Sequence, residues 1–244
     1  MFDVQAIIKD RFDKVWDMIK GAGFGTDIHP EESKIRLEQT ILSGKGQYIF
    51  NLKQESVDGT VEHSLERNDV FVPNRIGVFI ALKNTTTGVE TLFPYVPVND
   101  GTNPSVHPFG MTSDQLKVLY SGFLTWNVDN TVMISNYPME KFEKIPQVQG
   151  AFVLDSADAA VNEGIQSEWD IDKAMQLLIP RYTIAGTRDH KITINFPAAE
   201  KVFTATTGYE AKLVLFLDGF LVKGGCEYKG GNGSNPFGNA VGQW

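Results

Sequence analysis

The feature that most constrains the fold of this chain is a series of strand-like segments near its C-terminal end. Residues 178–186, 190–197 and 211–222 are rich in β-branched and aromatic side chains, and Gly, Pro or Asp residues separate them. Such side chains suit a pleated and half-buried surface, so the pattern predicts successive β-strands. Residues 213–222 are almost wholly apolar. They predict either a central strand that is buried on both faces or an interface strand.

Alternating apolar residues extend this prediction back to residue 34. Strands are predicted over 34–41, 47–52, 69–72, 76–82 and 89–93, with a break at Pro73-Asn74 between the third and the fourth. Residues 116–127 and 131–136 predict a hairpin around Asp129-Asn130, and residues 143–149 predict an edge strand. The spacing of these strands is short, which is typical of a mainly β domain.

The first twenty residues predict an amphipathic helix. Apolar residues recur there at helical spacing along one face: Ile8, Phe12, Val15 and Ile19, with Val4 and Trp16 beside them. Glycines at positions 21, 23 and 25 end the helix. Its apolar stripe has three candidate partners, namely the protein's own sheet, a neighbouring subunit or an inner membrane surface. Four acidic and four basic residues balance in this segment, which favours a protein partner over anionic lipid.

Residues 150–177 are Ala-rich and acidic and predict a short helical insert between strands. About ten to twelve strands with long connections favour a jelly-roll β-sandwich over a simple meander, and a compact double jelly roll is the alternative. The predicted organisation is an N-terminal helix over 1–25, a sandwich domain over 34–224 and a tail over 225–244.

Composition narrows the function classes. The chain has 244 residues and a net charge of −8, which argues against direct binding of nucleic acid. A single cysteine, Cys226, excludes an intramolecular disulfide and a thiolate metal cluster. Neither a membrane-spanning apolar run nor a signal peptide is recognisable in the sequence. We therefore expect a protein that is made and kept in the cytoplasm until it enters an assembly.

Familiar catalytic motifs are not recognisable in the sequence. The four histidines are far apart in sequence and show no metal-ligand spacing: His29, His63, His107 and His190. His190 is predicted to begin a strand and is interpreted as a turn residue rather than a metal ligand. The glycine run at residues 21–25 lacks the strand-to-helix context of a phosphate loop, and the acidic residues at 155–172 are interpreted as a solvated surface. The prediction is a protein with no catalytic, metal or cofactor site.

The last nineteen residues are rich in Gly and Asn, with Tyr228, Phe237 and Trp244 as isolated aromatic residues. Such a tail has no core of its own, but its rings can order in pockets of a neighbour. Predicted assembly contacts therefore lie at both ends of the chain: Ile8, Phe12, Trp16, Ile19, Phe237 and Trp244.

Four segments carry a family resemblance: residues 65–72, 76–80, 116–122 and 191–197. Over residues 34–224 their arrangement resembles jelly-roll virion proteins of bacteriophages, particularly those of Bacteroidetes hosts. The resemblance implies a capsid or capsid-associated protein without enzymatic activity. In tailless, membrane-containing phages the major capsid proteins are double jelly rolls with an N-terminal helix near the inner membrane, a role that the helix over 2–20 would suit.

The preferred hypothesis is therefore a virion structural protein that forms a homotrimer and contacts other virion proteins. A second hypothesis is a carbohydrate- or receptor-binding β-sandwich on a phage fibre, with a stacking platform of Tyr95, Phe109, Trp126 and Tyr137. A third is a sandwich-fold hydrolase that uses Asp170 and Asp172.

Overall fold

The computed structural model describes residues 4–21, 29–52, 65–93, 118–143, 175–179, 182–197 and 208–226. One α-helix, α1 (Val4–Gly21), precedes ten strands in these ranges: β1 (Glu31–Thr40), β2 (Gln47–Asn51), β3 (Val70–Asn84), β4 (Glu90–Phe93), β5 (Phe123–Val128), β6 (Thr131–Pro138), β7 (Gln176–Leu177), β8 (Ile184–Ala185), β9 (His190–Asn195) and β10 (Tyr209–Val222). Short 3-10 segments lie at Val118–Tyr120 and Met139–Phe142.

The strands form two antiparallel sheets. Sheet A has the order β1-β10-β3-β4. Strand β4 pairs with the C-terminal part of β3, and β7 and β8 pair with its N-terminal part. Sheet B has the order β2-β9-β5-β6. The predicted mainly β architecture with an N-terminal helix is thereby confirmed.

The two sheets pack against each other through one shared apolar core. Every second residue along a strand points to the same face, and those on the inner faces are buried in a single cluster. From sheet A the cluster includes Ile35, Leu37, Val78, Ile80, Leu213 and Leu215, and from sheet B it includes Tyr48, Phe50, Leu124, Trp126, Ile192 and Ile194. Burial of these large side chains supplies most of the favourable free energy of folding.

Strand β10 lies between β1 and β3 and is buried on both faces. Leu213, Leu215 and Leu217 belong to the shared core, while Val214 and Phe216 are buried on the opposite face of sheet A. The apolar run at 213–222 is therefore a central strand, as one of the two sequence interpretations proposed.

The predicted break at Pro73-Asn74 is wrong, because β3 runs through it as one strand of fifteen residues. Arg75 pairs with Asp218 and Pro73 pairs with Gly219, so Asn74 has no partner on β10 and forms a β-bulge. A bulge is one of the few places where a sheet accepts proline. Gly219 permits the close approach, since a Cβ atom there would lie 2.1 Å from the carbonyl oxygen of Val72.

Other predictions need smaller corrections. Gln176 and Leu177 form β7, so the helical insert does not extend to residue 177, and residues 144–174 lie outside the described ranges. The first hairpin strand begins at Phe123 and not at residue 116. The prediction that His190 begins a strand is confirmed, because His190 opens β9, and its side chain is buried. Its ring meets that of Trp126 edge to face at 6.3 Å.

Candidate functional site

Helix α1 packs on the protein's own sheet, on the outer face of sheet A. The ring of Phe12 meets Phe220 edge to face, with 5.2 Å between ring centroids. Val15 is buried in a cluster with Val70, Val72 and Val222. Of the three partners considered for the apolar stripe, the structure places the protein's own sheet against it.

Arg11 fixes the helix over the bulge in β3. Its guanidinium is buried and donates to the carbonyl oxygens of Asn74, at 3.1 Å, and Leu178, at 2.6 Å. The amide of Leu178 also donates to the carbonyl of Asn74 at 2.8 Å. A buried arginine is tolerated only when its donors are satisfied, and the bulged backbone supplies the acceptors. Arg11 thus links α1 to β3 and to the residue after β7.

The other predicted assembly residues have mixed positions. Trp16 is half-buried and stacks on His29, with ring centroids 5.0 Å apart, and Ile8 is half-buried. The side chain of Ile19, and Phe237 and Trp244 entirely, lie outside the described residues. The structure therefore places Phe12 and Trp16 in contacts within the chain and leaves the C-terminal contacts as predictions.

A cluster of paired charges covers part of the outer face of sheet A. Arg36 pairs with both Glu38 and Glu90, and Lys212 pairs with Glu38 at 2.8 Å between Nζ and Oε2. The side chains of Glu38 and Lys212 are only 6% and 7% exposed. Burial lowers the pKa of Lys212, but its hydrogen bond to Glu38 and the nearby carboxylates raise it more, so the pKa lies above its ordinary value.

These charges lie beside an aromatic layer on the same face. Phe79 and Phe216 are buried and meet edge to face, with 5.4 Å between ring centroids. The guanidinium of Arg36 lies 5.5 Å from the centre of the Phe216 ring, within the range of a cation–π contact. The part of the outer face of sheet A around Phe79 and Phe216 is therefore buried, as its inner face is.

The outer face of sheet B differs in chemistry. Three cross-strand rows form what we call the polar face: Gln47–Asn195–Phe123, Ile49–Thr193–Thr125 and Asn51–Lys191–Asn127. Amides and hydroxyls dominate these rows, and the amide of Gln47 donates to that of Asn195 at 2.8 Å. Lys191 is the one residue among Asp, Glu, Lys and Arg in the four strands of this sheet.

The edge strands of the two sheets are protected by different devices. Strand β1 has five charged residues among ten, which discourages pairing with another chain. Strand β6 has no charged residue, but its register with β5 shifts twice, Asn136 has a positive φ of 49°, and Pro138 ends the strand. Bulges and proline interrupt the row of backbone groups that a second strand would need.

Exposed apolar side chains concentrate at one end of the sandwich. Four of the six large apolar residues that are exposed in the described ranges lie there: Leu42 at 49%, Val89 at 64%, Phe123 at 41% and Tyr209 at 36%. At this end β1 and β3 finish, and β2, β4, β5 and β10 begin. The amide of Leu42, just after β1, donates to the hydroxyl of Tyr48 in β2 at 3.2 Å and so joins the two sheets there. We call these four residues the apolar end. Phe123 belongs to both the apolar end and the polar face.

Of the two predicted sites of chemistry, the structure describes only Trp126 and Tyr137 of the stacking platform. Trp126 is buried in the core, so it cannot stack on a glycan, and Tyr137 packs against that core. Tyr95, Phe109, Asp170 and Asp172 lie outside the described residues. Within the described ranges there is no group of three His, Cys, Asp or Glu residues placed to hold a metal ion. No helix in the described part of the chain has the length and apolar character needed to span a membrane.

Comparisons with protein-family models, curated proteins and solved structures found no match. The functional argument therefore rests on the residues of this chain. Sequence reasoning missed the role of Arg11, and nothing in a helical pattern marks a charged residue as buried. It also missed the polar face, although the scarcity of charge in segments 47–51, 123–128, 131–138 and 190–195 was a visible signal.

Proposed function

We propose that this protein is a virion structural subunit, a capsid protein that assembles with copies of itself through a β-sandwich of jelly-roll topology. The pairing order of its strands carries the proposal. The first strand pairs with the last (β1 with β10) and the second with the second to last (β2 with β9). The third, β3, pairs with β7 and β8, and the middle strands β5 and β6 pair with each other.

This nested order is what results when one long antiparallel ribbon is rolled into two sheets. Eight strands in two Greek keys define the jelly roll, which viral capsid and lectin domains share. Strand β4 is an extra strand beyond these eight. It pairs with the C-terminal part of β3, directly after the turn that joins the two strands. The nested order supports a single jelly roll over residues 34–224.

The shape suits a subunit that packs side by side with its copies around a three-fold axis. Two packed sheets, with α1 anchored on one of them through Arg11, give a rigid body. The protected edges β1 and β6 disfavour strand pairing between copies along those two edges. This favours contacts through faces and ends of the sandwich. Contact of α1 with an inner membrane is not part of this proposal, because Phe12 and Val15 pack on the protein's own sheet.

A carbohydrate-binding sandwich is the second candidate, and the polar face favours it. Amide and hydroxyl side chains suit the hydroxyls of a sugar, and the exposed ring of Phe123 can stack on one. A glycan array with the purified protein tests this function. Binding that Phe123→Ala abolishes would support it, and a blank array would remove it.

Light scattering coupled to size-exclusion chromatography, followed by electron microscopy of the same fractions, tests the capsid proposal. We expect a concentration-dependent oligomer of discrete size, and shells or regular sheets at high protein concentration. A strictly monomeric protein over a hundredfold range of concentration, with both termini intact, would contradict it.

A further inference from the structure

We infer that copies of this chain contact one another through the polar face of sheet B together with the apolar end, and that the partner on this surface is a second copy of the chain. The inference rests on the proposed function and adds to it which surface makes the contact. Phe123 lies where the two parts meet. Three observations support the choice of surface, namely charge, area and the position of this aromatic ring.

Charge is the first argument. Copies with a net charge of −8 repel each other, and like charges that face each other across a contact weaken it further. The strands of sheet A include eleven residues among Asp, Glu, Lys and Arg, and much of its outer face is already buried under α1 or in the aromatic layer. The polar face has Lys191 alone. The central parts of protein interfaces are depleted of charge in the same way.

Area is the second argument. The three strands of the polar face, spaced about 4.8 Å apart and about 20 Å long, give an area of about 300 Å². Each partner in a standard interface buries about 800 Å². The polar face by itself is therefore too small for a stable contact. The apolar end continues it through Phe123 and adds the exposed side chains of Leu42, Val89 and Tyr209.

The position of Phe123 is the third argument. Its side chain is exposed, and its cross-strand neighbours are Pro138 on β6 and Asn195 on β9, with Gln47 one strand beyond Asn195. Aromatic residues that fill a pocket on the partner dominate the binding free energy of many interfaces, and surrounding polar groups exclude water from them. The amides of Gln47 and Asn195 provide such surroundings, with donors and acceptors for direct or water-mediated hydrogen bonds.

Charge-introducing variants test the inference in the full-length protein. Phe123→Glu and Thr125→Glu place a carboxylate on the polar face, while Gln5→Glu makes the same charge change on the exposed side of α1. We expect the first two to raise the concentration needed for half assembly at least tenfold, measured by sedimentation velocity, and the third to change it less than twofold. Urea unfolding of each variant shows whether the fold is retained, and Thr125→Lys repeats the test with the opposite charge.

The outcomes separate the inference from the function on which it rests. If the wild-type protein is monomeric throughout, both are overturned. If the wild-type protein assembles and the folded Thr125→Glu and Thr125→Lys variants assemble equally well, the inference is overturned and the proposed function stands. If Val132→Lys on the β6 edge abolishes assembly while Thr125→Glu does not, copies pair through strand edges and the inference is again wrong.

Discussion

The outer faces of the two sheets differ in charge and in burial. A charged face is expected to be exposed and an uncharged face to be buried, but here the reverse holds. The outer face of sheet A holds the charged Arg36, Glu38 and Lys212, yet these side chains are largely buried. The polar face of sheet B is almost uncharged, yet most of its side chains are half-exposed or exposed. Polarity along a strand therefore did not predict which face of this sandwich meets solvent.

Ion pairs explain how sheet A buries its charges. Glu38 forms ion pairs with both Arg36 and Lys212, and Arg36 also pairs with Glu90, so each buried charge has an opposite charge beside it. Removing a charge from water costs several kcal/mol unless such a partner is present. Neutral amides have a smaller desolvation cost, so the polar face can be covered by a partner with less loss of free energy.

The largest effect is expected at the aromatic layer of sheet A. Phe216→Ala should lower the free energy of unfolding by about 3–5 kcal/mol, because it removes a buried ring and leaves a cavity. Phe123→Ala on the polar face should lower it by about 0.5 kcal/mol or less, since that ring is exposed. Urea denaturation of both variants measures the contrast, and equal losses would show that the two faces do not differ in burial.

A smaller effect is expected for the ion pairs. Lys212→Met should cost about 2–3 kcal/mol, less than the loss of a fully isolated buried pair, because Glu38 keeps Arg36. The matched control is Lys223→Met, which removes an exposed pair with Glu31 at 3.0 Å. Because both side chains of this pair are exposed, Lys223→Met should leave the free energy of unfolding nearly unchanged. Similar losses in the two variants would mean that the charges on sheet A are not buried in solution.

The stabilisation by Lys212 should also depend on pH. Since its pKa is raised in the folded protein, the stabilisation is fully present below the ordinary lysine pKa of about 10.4 and is lost as the pH rises through the raised value. Four buried or partly buried tyrosines also have a pKa raised by burial, so they too contribute stability that is lost as the pH rises: Tyr48, Tyr120, Tyr137 and Tyr182. Both proteins contain these tyrosines, so a stability difference between wild type and Lys212→Met that narrows above pH 10 isolates Lys212. A constant difference would contradict the assignment.

Arg11→Met tests the anchoring of α1 on sheet A. The carbonyl of Leu178 would lose the guanidinium donor, and we expect a loss of about 1–2 kcal/mol. Hydrogen exchange should show faster exchange of the α1 amides than in wild type. Lys14→Met, at an exposed position on the same helix, serves as the control. Unchanged protection of α1 in Arg11→Met would show that Phe12 and Val15 hold the helix without Arg11.

The smallest effect is expected at a hydrogen bond on the polar face. Gln47→Ala removes the exposed bond to Asn195, which should change the free energy of unfolding by about 0.5 kcal/mol. A loss above about 2 kcal/mol, measured by thermal and urea unfolding, would mean that the polar face stabilises the subunit itself. The scarcity of charge on the polar face would then be explained by the stability of the subunit, without contact to a partner.

The sequence by itself determined the mainly β class, α1 and the strands with strong patterns, including β1, β9 and β10. Each of these segments shows its periodicity over its own length, because residues on one face recur every second position in a strand and every third or fourth in a helix. Assembly contacts at Phe237 and Trp244 stay predictions, as does the helical insert over 150–174.

Only the tertiary structure decided the features that depend on distant partners. The sequence predicted that a strand ends at Pro73-Asn74. In the structure β3 continues past these residues, because it pairs with β10 on both sides of the bulge at Asn74. Arg11 is buried because carbonyls of residues 74 and 178, far away in the chain, surround its guanidinium. The exposure of the polar face and the burial of the charges on sheet A likewise follow from what packs on each sheet, and periodicity along one strand contains no information about that.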